Sequence, residues 1–258
     1  MNEQNQEDRN KSGDNFIIGR NSVLTALENG EAINRILIAD GIKKDDKVRR
    51  ILDLLRGKGI RFSFAPRQKL DEITEKAVHQ GVVAFTSAVK YYAVEDLLDE
   101  ARRRNEAPFI VVLDSLEDPH NLGAIVRTAA AAGVHGIVIP ANRSVLVTPT
   151  VAKVAAGTLS LVKIVRVHNL VQAIKELKAS GLWFYAVSQK AEKSYAETDF
   201  SGPVALVLGS EGKGIRRLVE ENCDFFVRIP MRAGVESLNV SVSAGILIFK
   251  VFNDRGKS

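Results

Sequence analysis

The feature that most constrains this chain is a series of short, almost wholly apolar runs that recurs from residue 109 onward. The runs are FIVVLD (109–114), GIVIP (136–140), LVKIV (161–165), WFYAVS (183–188), VALVLG (204–209) and FFVRIP (225–230). A strand with one wet face alternates apolar and polar residues, whereas a run that is apolar at nearly every position is buried on both faces. Helical patterns at 121–132, 149–156, 169–179 and 239–252 are interleaved with the runs or follow them. Strands of this kind separated by helices predict an α/β domain with a parallel sheet covered on both sides.

The segment upstream reads differently. Residues 21–29 form a short helical pattern closed by Gly30, and 35–39 and 61–65 read as strands. A helical stripe of Val48, Ile51, Leu52 and Leu55 lies between those strands. A further helix is expected from Pro66, and VVAFTS (82–87) as a buried strand. These make a small α/β unit near the minimum size that folds alone. Residues 94–105 carry Leu97, Leu98 and Ala101 on one helical face and read as a bridge. The expected organisation is therefore a disordered tail at 1–15, a small domain at 16–90, a linker helix at 91–107 and a larger domain at 108–258.

Charge is unevenly spread over these parts. The whole chain carries +5, the tail −2, residues 16–90 +5, the linker −2 and the last part +4. The densest excess thus sits in the small domain, which points to a polyanionic partner. A single cysteine, Cys223, and four scattered histidines offer neither a disulfide framework nor a metal-ligand set. The apolar runs are too short to span a bilayer, and the first residues lack the apolar stretch of a signal peptide. A reducing, cytoplasmic setting is the expectation.

Three stretches carry more than scaffold. In DSLEDPHNLGAIVRTAAAAG (114–133) a strand end, where open α/β sheets place ligands, runs into a helix. Asn121 reads there as an N-cap, and Arg127 stands among Ile125, Val126 and Thr128, where a charge wants a partner or a task. LGSEGKGI (208–215) is a strand followed by a glycine turn holding Glu211. It is not a P-loop, because Gly214 rather than Ser or Thr follows Lys213. In IPMRAGVESLNVSVSAGILIF (229–249), Ser237 reads as the N-cap of a helix apolar nearly all round, part of whose cover is expected from a second subunit.

Taken together, NLGAIVRTA (121–129), LGSEGKGI (208–215), IPM (229–231) and SLNVSVSAGI (237–246) closely resemble the motifs of the SpoU (TrmH-type) RNA ribose 2′-O-methyltransferases of the SPOUT superfamily. IIGRNSVLTAL (17–27) and HQGVVA (79–84) resemble the small substrate-binding domain, of ribosomal protein L30e type, in the 23S rRNA guanosine subgroup. The resemblance spans about residues 16–253. It implies S-adenosylmethionine as cofactor, a deep C-terminal trefoil knot and a homodimer formed through the catalytic domains. Connection rules alone would draw an open, unknotted sheet.

By the same resemblance Gly209, Ile229 and Leu238 contact the cofactor, and Asn121, Arg127, Glu211, Ser237 and Asn239 are active-site positions. Arg127 is expected to orient the target phosphate and lower the pKa of the 2′-hydroxyl, since an arginine stays protonated. Asn121 and Asn239 would hold the ribose and shape the loop, while Glu211 and Ser237 would order the pocket. No metal is required for this chemistry. Arg20 and Arg35 are the expected RNA contacts of the small domain. The leading substrate is a guanosine of 23S rRNA. Alternatives are a tRNA, an adenosine in thiopeptide-resistance methylation, or a non-catalytic role in ribosome assembly.

Overall fold

The computed structural model describes residues 16–87, 90–142, 144–234 and 237–256, so the expectation for the tail at 1–15 falls outside the described residues. The chain divides into two compact units. The first runs to Lys90 and includes Leu146–Thr150; the second comprises Tyr91–Val145 and the chain from Val151 onward.

In the first unit the elements are β1 (Phe16–Ile18), α1 (Arg20–Glu28), β2 (Ile33–Ala39), α2 (Asp46–Gly57), β3 (Arg61–Ala65), α3 (Arg67–Ile73) and β4 (Val82–Thr86). The sheet order is β1-β4-β2-β3. Only the β2–β3 pair is parallel. Val48, Ile51, Leu52 and Leu55 form the expected stripe of α2 and pack with α1 against Ile36, Ile38, Val82 and Ala84. The Asp45 side chain caps α2 by accepting from the Val48 N–H at 2.9 Å. That bond, with Arg20 alongside, holds the Asp45 carboxyl below its usual pKa. On the opposite face Leu70 of α3 packs with Leu37, Ala39 and Ala65. β1 was not expected from the sequence. It is three residues long, too short for a period-2 pattern to register, and is fixed by pairing with β4.

The two motifs of this unit meet. Arg20 donates from Nε to the Gln80 carbonyl at 3.0 Å and from Nη1 to Asp45 at 2.5 Å. His79 is buried; its Nδ1 accepts from the Gly81 N–H at 2.9 Å, so Nε2 carries the proton and donates to Asp71 at 2.9 Å. The residues of HQGVVA thus fasten a loop to α1 and α3.

After the first unit come α4 (Glu95–Arg104), β5 (Phe109–Asp114), α5 (Pro119–Ala131), β6 (Gly136–Pro140), α6 (Pro149–Val154), β7 (Lys163–Val167), α7 (Leu170–Ala179) and β8 (Trp183–Val187). They are followed by β9 (Val204–Gly209), α8 (Arg217–Glu220), β10 (Phe225–Val227) and α9 (Val240–Arg255). Six strands form one sheet, parallel throughout, in the order β10-β8-β9-β5-β6-β7. Ile110 and Val112 point to a core shared with Leu97, Leu170, Ile174 and Leu177. Val111 and Leu113, equally buried, point to the other face. There α5 and α9 lie against each other, and α9 against β9. The double cover predicted from the continuous apolar runs is observed for the inner strands, while at the β10 edge Phe225, Phe226 and the neighbouring Trp183 stay exposed.

The expected linker helix is α4, and it belongs to the second unit's core rather than standing free. Leu97 is fully buried and sits on Gly136, where an added Cβ would lie 2.2 Å from Leu97 Cδ2. Burying that one leucine contributes about 2 kcal/mol. Glu100 of α4 accepts from Arg103 at 2.5 Å and Arg104 at 2.7 Å. These bonds, that of Arg103 foremost, bring its pKa from 4.5 to about 2. A depressed carboxylate stabilises the fold fully above its unfolded pKa. Tm is therefore expected to fall as pH drops from about 4.5 toward about 2, and Glu100→Gln should flatten that part of the profile. An unchanged slope in the variant would show that Glu100 is not the group responsible.

Candidate active site

β5 and β9 are neighbours, yet the chain leaves β5 toward β6 and β7 on one side and returns to β8 and β9 on the other. Sequence direction reverses at that junction, and ligands in open α/β sheets lodge at the carboxyl ends of the strands there. In this chain those ends are Asp114 and Gly209, paired in register.

The turn after β9 is built on close backbone approach. A Cβ on Gly209 would lie 2.0 Å from the carbonyl carbon of Gly214, so only glycine fits. Ser210 and Gly214 exchange two backbone hydrogen bonds, of 3.2 and 2.9 Å, and Gly212 and Gly214 take positive φ. The exit of the turn is fastened to β5. The Arg216 N–H, Nε and Nη2 each lie 2.7 Å from the carboxylate oxygens of Asp114, which is fully buried. Ser115, at φ 62°, adds a hydroxyl bond to the same carboxylate at 3.2 Å.

At the tip of the turn Glu211 joins the three motif blocks. Its Oε1 accepts from Asn121 Nδ2 at 3.1 Å, from Asn239 Nδ2 at 2.8 Å and from the Val240 N–H at 3.3 Å. Asn239 also donates to Asn121 Oδ1 at 2.9 Å. Residues 90 and 118 positions apart along the chain thus meet at one carboxylate. Asn121 is buried, whereas Glu211 and Asn239 are exposed.

Two expected caps are corrected here. Asp118, not Asn121, caps α5, accepting from the His120 N–H at 2.9 Å with Pro119 in the first turn. That releases Asn121 for the network. Asn239, not Ser237, caps α9 through Oδ1, which accepts from the Ser241 N–H at 2.9 Å. Gly123, in the same motif as Asn121, is where α5 rests on α6: a Cβ would lie 2.6 Å from Val154 Cβ.

Beside this network lies a pocket of about 430 Å³ walled by Leu208–Ile215, by Val187–Lys190 at the end of β8, and by Ser237, Leu238, Val240 and Ser243. That volume suits a drug-sized or nucleotide-sized ligand. Gly209, Leu238, Glu211 and Ser237 all line it. Ile229 is buried and does not. Val187–Lys190 were missed by sequence reasoning, although the rule that strand carboxyl ends hold ligands applies to WFYAVS as well.

The Arg127 side chain is exposed and forms no hydrogen bond or ion pair with another described residue. Six residues beyond Asn121, it stands about 9 Å further along α5 and about 120° around it. The structure does not bring it into the Asn121–Glu211–Asn239 network. Cys223 is no candidate nucleophile. Burial, with the Asp224 carboxylate beside it, pushes its thiol up to about 12. Among the described residues no cluster of metal-ligating side chains occurs. No helix there is long and apolar enough to cross a membrane.

Fold and site are those of an α/β enzyme with a cofactor-sized pocket at the carboxyl ends of β8 and β9, one strand away from the point where the parallel sheet changes direction. The profile of the SpoU rRNA methylase family matches residues 108–249, and that of RNA 2′-O ribose methyltransferase substrate binding matches 16–92. A Bacillus subtilis protein described as belonging to the TrmH family of tRNA/rRNA methyltransferases is 42% identical over 240 residues, covering 93% of this chain and 96% of its own. An rRNA methyltransferase from Sinorhizobium meliloti, solved with AdoMet bound, superposes with a TM-score of 0.56 at 25% identity. It covers 95% of this chain and 89% of its own. The TrmH/SpoU tRNA-modifying enzyme of A. aeolicus reaches 0.53 at 30% identity over 64% of this chain and 85% of its own. The chain belongs to the SpoU (TrmH) family of RNA methyltransferases.

Proposed function

We propose that this chain transfers the methyl group of S-adenosylmethionine to the ribose 2′-hydroxyl of a guanosine in 23S rRNA. It does so in the cytoplasm, as a homodimer joined through the catalytic domains. The reading rests first on the convergence of Asn121, Asn239 and the Val240 N–H on Glu211 at the edge of the pocket. The choice of rRNA over tRNA is supported by coverage. The S. meliloti rRNA enzyme aligns over both units, and the A. aeolicus tRNA enzyme over only 64% of the chain.

The residues present fit the cofactor. Backbone groups of the glycine turn offer donors and acceptors to an adenine, and Leu238 and Val240 offer apolar surface. When bound, S-adenosylmethionine supplies an already activated methyl group. In the same reading Ile229 acts from behind the wall, and the path around the pocket is a deep trefoil knot. The Arg127 guanidinium holds the phosphate next to the target and stabilises the oxygen as its proton leaves. Asn121 and Asn239 keep the ribose in place, with Glu211 and Ser237 ordering them. The units act as an RNA-docking domain of L30e type at 16–90 and a catalytic domain at 108–258, with 91–107 between. Arg35 is the docking residue retained. Arg20 is already engaged by Asp45 and Gln80.

Dimerisation is supported by α9. One face of it is buried through Ala244, Leu247, Ile248 and Val251, while Val242, Phe249 and Phe252 form a second apolar stripe 42–50% exposed. A second copy covers that stripe in this reading. Phe252→Asp should halve the mass measured by light scattering and reduce methyl transfer at least tenfold. A wild-type chain that runs as a monomer would overturn this part.

The substrate is tested by labelled methyl transfer to 23S rRNA, 16S rRNA and tRNA transcripts, followed by mapping of the modified ribose. The expected label is on one guanosine of 23S rRNA. Label confined to tRNA or 16S rRNA, or to an adenosine, would replace that substrate with the one found. No label on any of them would favour a binding role in ribosome assembly.

A further inference from the structure

One transverse row of the first unit's sheet reads Phe16, Phe85, Arg35, Arg61, each residue paired in register with the next. Residues in register point to the same face. Phe16 meets Phe85 edge to face at 6.4 Å, and the Arg35 guanidinium carbon lies 4.2 Å from the centre of the Phe85 ring. Phe85 is buried, while Arg35 and Arg61 are exposed. α1 and α2 pack on the opposite face, and Leu70 of α3 packs on this one with Leu37, Ala39 and Ala65.

Two features of this row call for an anion. Like charges directly opposite one another on neighbouring strands are unfavourable. Neither Arg35 nor Arg61 forms an ion pair with a carboxylate among the described residues. A third feature calls for an aromatic ligand: Arg35, with its inner side on Phe85, has an outer side of the kind on which an unstacked base lies.

We propose that this row seats an unpaired nucleotide of the RNA substrate, its phosphate between Arg35 and Arg61 and its base stacked on Arg35. The inference rests on the reading of this unit as the RNA-docking domain and names the part of RNA it takes, a single-stranded one. Double-stranded RNA keeps its bases stacked inside and offers only the phosphate half of this contact.

The test uses the full chain and fluorescence anisotropy with two labelled probes, a 12-nucleotide single-stranded RNA and a hairpin of equal charge whose six base pairs are closed by a non-nucleotide linker, so that no base is unpaired. Arg61→Gln should weaken single-strand binding about tenfold and lower the salt slope by about 0.7. Arg35→Lys keeps the charge and loses the planar surface. It should weaken single-strand binding about fivefold with the slope unchanged, and leave hairpin binding as it was. Lys43→Gln, which removes an exposed charge elsewhere in the unit, should change binding less than twofold.

The proposal fails if Arg35→Lys binds like the parent, if Lys43→Gln is as damaging as Arg61→Gln, or if the hairpin binds as tightly as the single strand. S-adenosylmethionine affinity, measured by calorimetry on each variant, shows that the second unit is unaltered. Failure to methylate 23S rRNA would overturn the substrate reading while leaving these binding results standing. A neutral Arg35→Lys with transfer intact would overturn only the nucleotide seat.

Discussion

Replacing Arg127 by alanine is expected to lower methyl transfer at least about 100-fold while leaving cofactor affinity within about twofold of the parent. The side chain is exposed and bonds to no other described residue, so its loss should cost the fold less than about 0.5 kcal/mol. A cation with no structural employment, on a helix packed around a glycine and beginning next to the Glu211 network, is free for the substrate. Arg127→Lys should fall between, because lysine keeps the charge without the planar fork. Single-turnover transfer with saturating S-adenosylmethionine reads the effect. Near-parental rates in the alanine variant would remove Arg127 from the mechanism.

The second large effect is expected at Arg216. Arg216→Ala leaves the fully buried Asp114 carboxylate without its guanidinium, at a cost of about 3 kcal/mol and about 10 °C in Tm. The turn from Ser210 to Ile215 forms the pocket wall, so S-adenosylmethionine affinity should fall at least tenfold. Asp114→Asn keeps an oxygen for the Arg216 donors and should be milder on both counts. Calorimetric binding together with thermal unfolding checks the pair. An Arg216→Ala protein with parental Tm and affinity would show that the turn holds without its anchor.

Much of the second unit was legible because parallel strands buried on both faces write themselves as unbroken apolar runs. Val204–Gly209 and Phe109–Asp114 are read from the sequence to the residue. The small unit was legible where α2 repeats at helical spacing, and not at β1, whose three residues depend on β4 for their form. At the site, residue types were readable and partners were not. Asn121 reads from the sequence as a cap and Asn239 is marked only by the family resemblance, and their shared acceptor arises only when β9 inserts beside β5. Asp118-Pro119 was a readable cap signal passed over in favour of Asn121. Asp114 and Arg216, 102 residues apart, leave no periodic trace at all.

Asn239 does two things at once: its Oδ1 starts α9, and its Nδ2 joins Asn121 and Glu211. This has a consequence in time. A growing chain makes Asn121 and Glu211 long before Asn239, and domains fold as their parts emerge. The glycine turn and its Asp114–Arg216 anchor use only residues made before α9, but without α9 Glu211 lacks two of its three donors. A nascent or prematurely stopped chain would therefore carry part of a pocket wall and no finished centre. The Glu211 network is completed by α9 in one step rather than growing gradually with chain length.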